Sequence, residues 1–156
     1  MVPGERGLVA RDPRLPAALG GAYLFADFCS GQLGAILTTQ NLRTVRLGVQ
    51  VEAPSTFGVA PDGSVLVVEM FGERITRIKP DGSTVVVAEV PGGPNGLAEC
   101  ADGSLIVCNN GGSFTPIDLG TLILPGPFDP ARHTGGRIER VDVKTGKVTR
   151  LYDSCD

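Results

Sequence analysis

The sequence has no tryptophan, 2 tyrosines, 6 phenylalanines and a single histidine, His133. So few flat side chains exclude an aromatic platform on which the bases of a single-stranded nucleic acid would stack. The formal net charge is −3 and the basic residues form no block. There is thus no electrostatic footprint for nucleic acid or for an anionic membrane surface. No apolar run approaches the roughly 20 residues that a membrane-spanning helix needs. The opening stretch, MVPGERGLVARDPRLP, lacks the apolar centre of a signal peptide. No nucleic-acid or membrane partner is expected, and a cytoplasmic location is favoured. The cysteines Cys29, Cys100, Cys108 and Cys155 form no C-x-x-C pair, and His133 is remote from them, so zinc-site spacing is absent. All four are expected as thiols. Cys100 and Cys108, on adjacent strands of one expected hairpin, are the pair in reach of a disulfide. A G-x-S-x-G nucleophile elbow and a G-x-x-x-x-G-K-[ST] phosphate loop are also missing.

What is abundant is the material of tight turns: 22 glycines and 12 prolines beside 42% hydrophobic and 20% charged residues. A chain of 156 residues fits about one domain. Its organisation is repetitive. GAYLFADFCSGQLGAI, from Gly21, lies over GSVLVVEMFGERITRI, from Gly63, without a gap. FGVAPDGSVLVVE, from Phe57, lies over NGLAECADGSLIVCN, from Asn95, after a two-residue difference in the first strand. ERITRIKPDGSTVVV is echoed by GRIERVDVKTGKVTRL. The period is near 40 residues. Each unit reads as four short strands joined by Asp-Gly or similar turns. Four strands repeated at that period are the sequence sign of a β-propeller blade.

The units fall at approximately 15–50, 57–90 and 95–153, within a single incomplete propeller domain over 1–156. The opening strand of the first is expected to be replaced by the proline-rich start. The third strand of the second unit carries polar residues on both faces, which suits a place toward a sheet edge. Residues 111–134 form an insertion between the second and third strands of the last unit, and read as a packed surface loop or a lid. An arc of about three blades leaves blade edges open, and such edges invite pairing. Self-association, or a longer protein, is the expectation.

The central stretch is PGGPNGLAECADGSLIVCNNGG, residues 91–112. Asn95 stands where the chain enters a strand after Gly-Gly-Pro. Two readings stand together: a turn residue or a polar group facing the central channel. Asp27, Glu69 and Asn109 share one repeat position at the end of the second strand. They too are either loop caps or channel-facing candidates. Gly111 and Gly112 suit a left-handed loop backbone. His133 would need a partner to act as a base, and a solvated loop position is expected for it.

PDGSVLVVEMFGERITRI, GGPNGLAECADGSLIVCNNGG and GGRIERVDVKTGKVTRLYDSCD carry a resemblance. Over residues 62–156 the chain resembles the senescence marker protein/gluconolactonase family, the regucalcin-like lactonases. The resemblance implies an all-β, six-bladed propeller. It also implies a divalent cation, usually Ca2+, held by Glu, Asn and Asp oxygens in the central channel. There the ion assists water in opening sugar lactones, and Asn95 is the one candidate metal ligand. The chain departs from the family where an E-G-P phrase precedes the first P-D-G turn. Here the phrase is APSTFG, so Ser55 or Thr56 replaces the carboxylate, and Glu52 lies three or four residues earlier. The expected function is a fragment of a calcium-dependent sugar-lactone hydrolase without a complete site of its own. The alternative is a non-catalytic propeller scaffold or binding segment. PRLPAALGGAYLFADFCSGQLGAI and APSTFGVAPDGSVLVV, within residues 20–70, are similar to the closing blade of glucose/sorbosone-type quinoprotein dehydrogenases. That gives a third reading, a remnant of such an enzyme, and quinone binding would be needed to support it.

Overall fold

The computed structural model describes residues 5–9, 13, 15 and 17–153. It is all-β apart from one 3-10 turn, Ala17–Leu19. Among the described residues the chain forms three four-stranded antiparallel sheets and one two-stranded hairpin. The first sheet holds β1 (Glu5–Val9), β2 (Tyr23–Asp27), β3 (Gln32–Leu37) and β4 (Arg43–Gln50) in that order. The second holds β5 (Pro54–Val59), β6 (Val65–Glu69), β7 (Arg74–Ile78) and β8 (Thr84–Glu89). The third holds β9 (Pro94–Glu99), β10 (Leu105–Asn109), β13 (Arg137–Val141) and β14 (Val148–Tyr152). β11 (Pro116–Asp118) and β12 (Ile123–Pro125) form a hairpin inside the expected insertion. This is a partial β-propeller of three blades. Among the described residues no helix is long and apolar enough to cross a membrane.

The turns have a common construction. In Asp62-Gly63-Ser64, Asp81-Gly82-Ser83 and Asp102-Gly103-Ser104 the aspartate Oδ1 accepts the serine backbone N–H. The glycine takes φ of 79° to 83°, which costs an L-residue side chain more than it costs glycine. Backbone bonds between Ala60 and Ser64, Lys79 and Ser83, and Cys100 and Ser104 close each loop. The recurring Asp-Gly-Ser phrase therefore fixes the register of each hairpin.

Packing distinguishes the middle blade from the outer two. β6 is buried at every position because both its faces are covered. Val65, Val67 and Ile78 pack toward the first blade with Leu24, Ala26, Leu33 and Phe57. Leu66, Val68 and Ile75 pack toward the third blade with Leu105, Val107 and Val141. β2 and β10 instead alternate buried with more exposed residues, the period-2 pattern of a sheet covered on one side.

One expectation needs correcting. The first blade has its opening strand: β1 pairs with β2 from Glu5↔Asp27 to Val9↔Tyr23, so the unit starts well before residue 15. A short charged segment, ERGLV, still closes the sheet because its backbone satisfies β2. The third strand of the second blade, β7, stands as expected toward the edge, one strand in, and pairs with both β6 and β8. Its polar residues are tolerated inside because each has a partner: Arg74 and Thr76 on Glu69, and Arg77 on Asp62. Cys29, Cys100 and Cys108 are free thiols. Cys108 pairs with Gly96 across the strands while Cys100 closes the turn at the other end, so the pair considered for a disulfide does not face. Cys155 lies outside the described residues.

Candidate functional site

The candidate residues gather at one end of the propeller, where β2, β6 and β10 finish and where the insertion emerges. Glu69 ends β6 opposite Pro54 and Arg74, and is only 1% exposed. Its Oε1 accepts Arg74 Nε at 3.0 Å and its Oε2 accepts Arg74 Nη2 at 2.8 Å. Thr76 Oγ1 also donates to Oε1, and the Glu52 backbone N–H donates to Oε2 at 2.5 Å. Glu52 adds a second carboxylate 3.7 Å from Arg74. Hydrogen bonding to Glu69 pushes the Arg74 guanidinium further up. Ala53 and Glu73 hold left-handed backbones, with φ of 48° and 50°. These shape the two loops that carry Glu52 and Arg74 to the node.

The third blade builds an equivalent node with the acid moved. Asn109, 4% exposed, sits where Glu69 sits. Arg137, paired with it in register, matches Arg74. The carboxylate is Glu139, in the place of Thr76. Arg137 Nε donates to Glu139 Oε1 at 2.7 Å, and Asn109 Nδ2 donates to Glu139 Oε2 at 2.9 Å. Asn109 Oδ1 accepts the N–H groups of Gly93 and Gly111, and Arg137 Nη2 donates to the Pro91 carbonyl. The node thus ties the incoming 91–93 loop to the outgoing 109–111 loop. In the first blade Asp27 accepts Ser30 N–H and Ser30 Oγ–H, each at 2.6 Å, and Gln32 stands where the arginines stand. Asp27 also contributes, after burial, to holding the Cys29 thiol above its usual range.

Asn95 sits at a β-bulge between Cys108 and Asn109. Ser55 occupies the matching bulge in the second blade, between Pro54 and Thr56. The two bulges touch. Ser55 Oγ donates to the Asn95 carbonyl at 2.9 Å, and Thr56 Oγ1 donates to the same oxygen at 2.6 Å. Ser55 and Thr56 therefore present neutral hydroxyls bonded to the neighbouring blade's backbone. The structure brings Asn95 to Ser55 and Thr56, Glu69 to Arg74, and Asn109 to Glu139. Among the described residues none of Asp27, Glu69, Asn95 and Asn109 hydrogen-bonds to another of the four.

A divalent cation does not fit these residues by themselves. Ca2+ takes six to eight oxygens, several of them carboxylate. Both oxygens of Glu69 are already held by cationic or N–H and O–H donors. Among the described residues no three His, Cys, Asp or Glu side chains come together as a metal site. His133, expected in a solvated loop position, is instead half-buried and edge-on to Phe128 at 5.2 Å between ring centroids, and among the described residues its buried Nδ1 has no hydrogen-bond partner.

The insertion folds back over this end. Ile123 N–H donates to the Cys29 carbonyl at 2.9 Å, so the hairpin rises from the third blade and reaches the first. Beneath it lies a cleft of about 360 Å³ lined by Ser30, Gln50, Glu52, Arg74 and Asp118. A second cavity, about 270 Å³, lies between the first two blades at the opposite end. Leu24, Leu33, Phe57 and Ile78 wall it and few polar groups converge there, so it belongs to blade packing. Sequence reasoning missed Arg137 and Glu139, and it took Ser55 only as the place of a lost carboxylate, without its bond to the Asn95 carbonyl. The signal available was the repeated arginine at 74 and 137, with the pairs Glu69/Thr76 and Asn109/Glu139 set against each other.

No protein-family model matches the chain, and no curated protein sequence matches it. Solved structures do. One, a structural genomics consortium target described as a putative gluconolactonase, superposes with TM-score 0.64 at 15% identity, covering 94% of this chain and 51% of that one. The gluconolactonase of Xanthomonas campestris gives TM-score 0.66 at 15% identity, over 85% of this chain and 44% of that one. A virginiamycin B lyase of Staphylococcus aureus, solved as an inactive variant with quinupristin, gives 0.52 at 20% identity, over 93% and 54%. At such identities the likeness is one of fold. The chain spans about half the length of the solved structures it matches, and its architecture is that of a partial β-propeller.

Proposed function

We propose that these three blades are one half of a six-bladed, gluconolactonase-like propeller. In this reading sugar-lactone opening is an activity of the completed ring and not of the three blades alone. One observation supports it: the blades superpose on gluconolactonase propellers, yet Ser55 and Thr56, one of which the resemblance sets at the family's acidic position, carry hydroxyls bonded to the Asn95 carbonyl. The chain then contributes channel wall through Asn95 and a cover through the β11–β12 hairpin. The cation implied by the resemblance would take its carboxylates from elsewhere in the ring.

A second reading, a non-catalytic scaffold, is favoured by the saturation of Glu69 and Asn109 with internal partners. The test is calorimetric titration of Ca2+ into the 156-residue chain, beside gluconolactone hydrolysis followed by pH-stat with and without chelator. Neither tight Ca2+ binding nor chelator-sensitive turnover is expected from the chain as a monomer. Turnover abolished by chelator in a preparation shown by light scattering to be monomeric would place a whole hydrolytic centre within these three blades and overturn the proposal. Binding of gluconate without turnover would favour the scaffold.

A further inference from the structure

The two terminal blades each leave one sheet face uncovered by described residues, and each face repeats one half of the contact that joins neighbouring blades. On the third blade the face turned away from the second carries Ile106, Cys108, Ile138 and Arg140, cross-strand neighbours in register. Their equivalents on the second blade are Leu66, Val68, Ile75 and Arg77. The copying extends to the ion pair: Arg77 bonds Asp62 as Arg140 bonds Asp102. On the second blade that face is sealed by the third, and Leu66, Val68 and Ile75 are at most 1% exposed. On the third blade the same face is only partly buried and Cys108 is exposed.

The first blade shows the converse. Its outward face carries Tyr23, Phe25 and Ile36, with Gly34 lying under the Phe25 ring. Their equivalents on the second blade are Val65, Val67 and Ile78, which pack against the first blade, with Thr76 in the place of Gly34. Val65 is 8% exposed and Val67 0%, whereas Tyr23 is 38% exposed. One kind of contact, the leading face of one blade on the trailing face of the next, thus occurs twice in the chain. The chain displays one unused copy of each half.

We propose that the occupant of both faces is a second copy of this chain, giving a closed ring of six blades with twofold symmetry. The leading face of each third blade packs on the trailing face of its partner's first blade, so a head-to-tail contact closes instead of propagating. Closure is supported by span. One chain superposes on 51% and 44% of two gluconolactonases, so two copies supply about one whole propeller. The surfaces concerned are sheet faces and not the hydrogen-bonding edges that the sequence suggested. This inference stands on the fold and not on the proposed lactone chemistry. It does bear on that chemistry: a ring of two copies brings no new acidic residue to the Ser55 position, which would strengthen the scaffold reading.

The experiment is light scattering on the 156-residue chain at micromolar concentration. The expected mass is twice the 16.2 kDa of one chain. Ile106→Asp and Tyr23→Asp, both at positions already exposed or half-buried in the single chain, should each halve that mass. Phe114→Asp, exposed on the insertion, should leave it unchanged. Far-UV circular dichroism verifies that the variants fold. In the wild type, Cys108 alkylation should also slow as protein concentration rises, which needs no variant. A monomer at all concentrations overturns the proposal and assigns the faces to other blades. So does an open polymer, or a dimer indifferent to both substitutions. So does Cys108 reactivity independent of concentration. None of these measurements involves lactone or metal, so failure here leaves the proposed activity to its own test.

Discussion

Glu69→Gln separates a structural role for this carboxylate from a ligand role. The side chain is 1% exposed and accepts bonds from Arg74, Thr76 and the Glu52 N–H. An amide of the same shape keeps one acceptor and turns an NH2 toward donors. Removing one partner of a buried ion pair costs about 3–5 kcal/mol because the other charge is left uncompensated. The Arg74 side chain is 32% exposed, so water recovers part of that cost, and Glu52 supplies a weaker second partner. The expected loss is about 2–3 kcal/mol. For a chain of this size that lowers Tm by about 5–10 °C. Urea unfolding followed by far-UV circular dichroism in chelator-containing buffer measures it. Glu139→Gln should cost more, because Arg137 and Glu139 are 5% and 7% exposed in their side chains. A loss below about 1 kcal/mol for Glu69→Gln, or the reverse ranking, would sink the argument that these acids hold the blade ends together.

Acid should act first at the turns. The Ser64 backbone N–H holds the Asp62 carboxyl below its usual range, and the hydroxyls of Ser83 and Ser104, with their N–H groups, do so for Asp81 and Asp102. A depressed carboxylate contributes stability that is present above its unfolded pKa, about 3.9, and is lost as pH falls through the folded value. The urea midpoint should therefore drop below about pH 4, and a D62N/D81N/D102N variant, which keeps an acceptor at each turn, should flatten the curve there; an unchanged slope would show that other carboxylates govern it. Gly31→Ala should destabilise by about 2 kcal/mol or more. Gly31 has φ of 69° and a methyl group there would overlap the Val51 carbonyl, so a Tm within about 2 °C of wild type would contradict the geometry.

Repetition made the fold legible. Asp-Gly-Ser recurs with one turn geometry, and apolar residues recur at strand spacing, so three blades near a 40-residue period follow from the sequence. The opening strand escaped because ERGLV carries no phrase of the repeat and owes its place to pairing with β2. The site was half visible. Asp27, Glu69 and Asn109 do share one structural position, as their alignment implies. What each one touches depends on register and on loops. Glu69 meets a backbone N–H from residue 52 through a left-handed turn at Ala53, and no local pattern in the sequence announces such a contact. Ser55 reads as a lost carboxylate in sequence. In space it is a bond between the inner strands of two blades.

The relocation of the acid between blades is the most informative of these details, because it can be copied. Blade two places its carboxylate on the second strand, at Glu69, with the short Thr76 diagonally across from it. Blade three places it on the third strand, at Glu139, with the shorter Asn109 diagonally across. In both the arginine begins the third strand, at Arg74 and Arg137, and is held through Nε. If the node requires one carboxylate within reach of that arginine, and not a carboxylate at one position, moving it should be tolerated. Glu69→Asn alone should lose about 2–3 kcal/mol, like the glutamine variant. Adding Thr76→Glu rebuilds the third-blade arrangement, since the shorter amide at position 69 vacates the volume the longer side chain needs, and should recover most of the loss. The two substitutions are then strongly non-additive, with a coupling of about 1–3 kcal/mol. Equilibrium unfolding of the two single variants and the double variant measures it. A double variant no more stable than the sum of its parts would show that the second blade needs its carboxylate at Glu69 itself, with Glu52 N–H as an indispensable partner, and that the two nodes are alike only in composition.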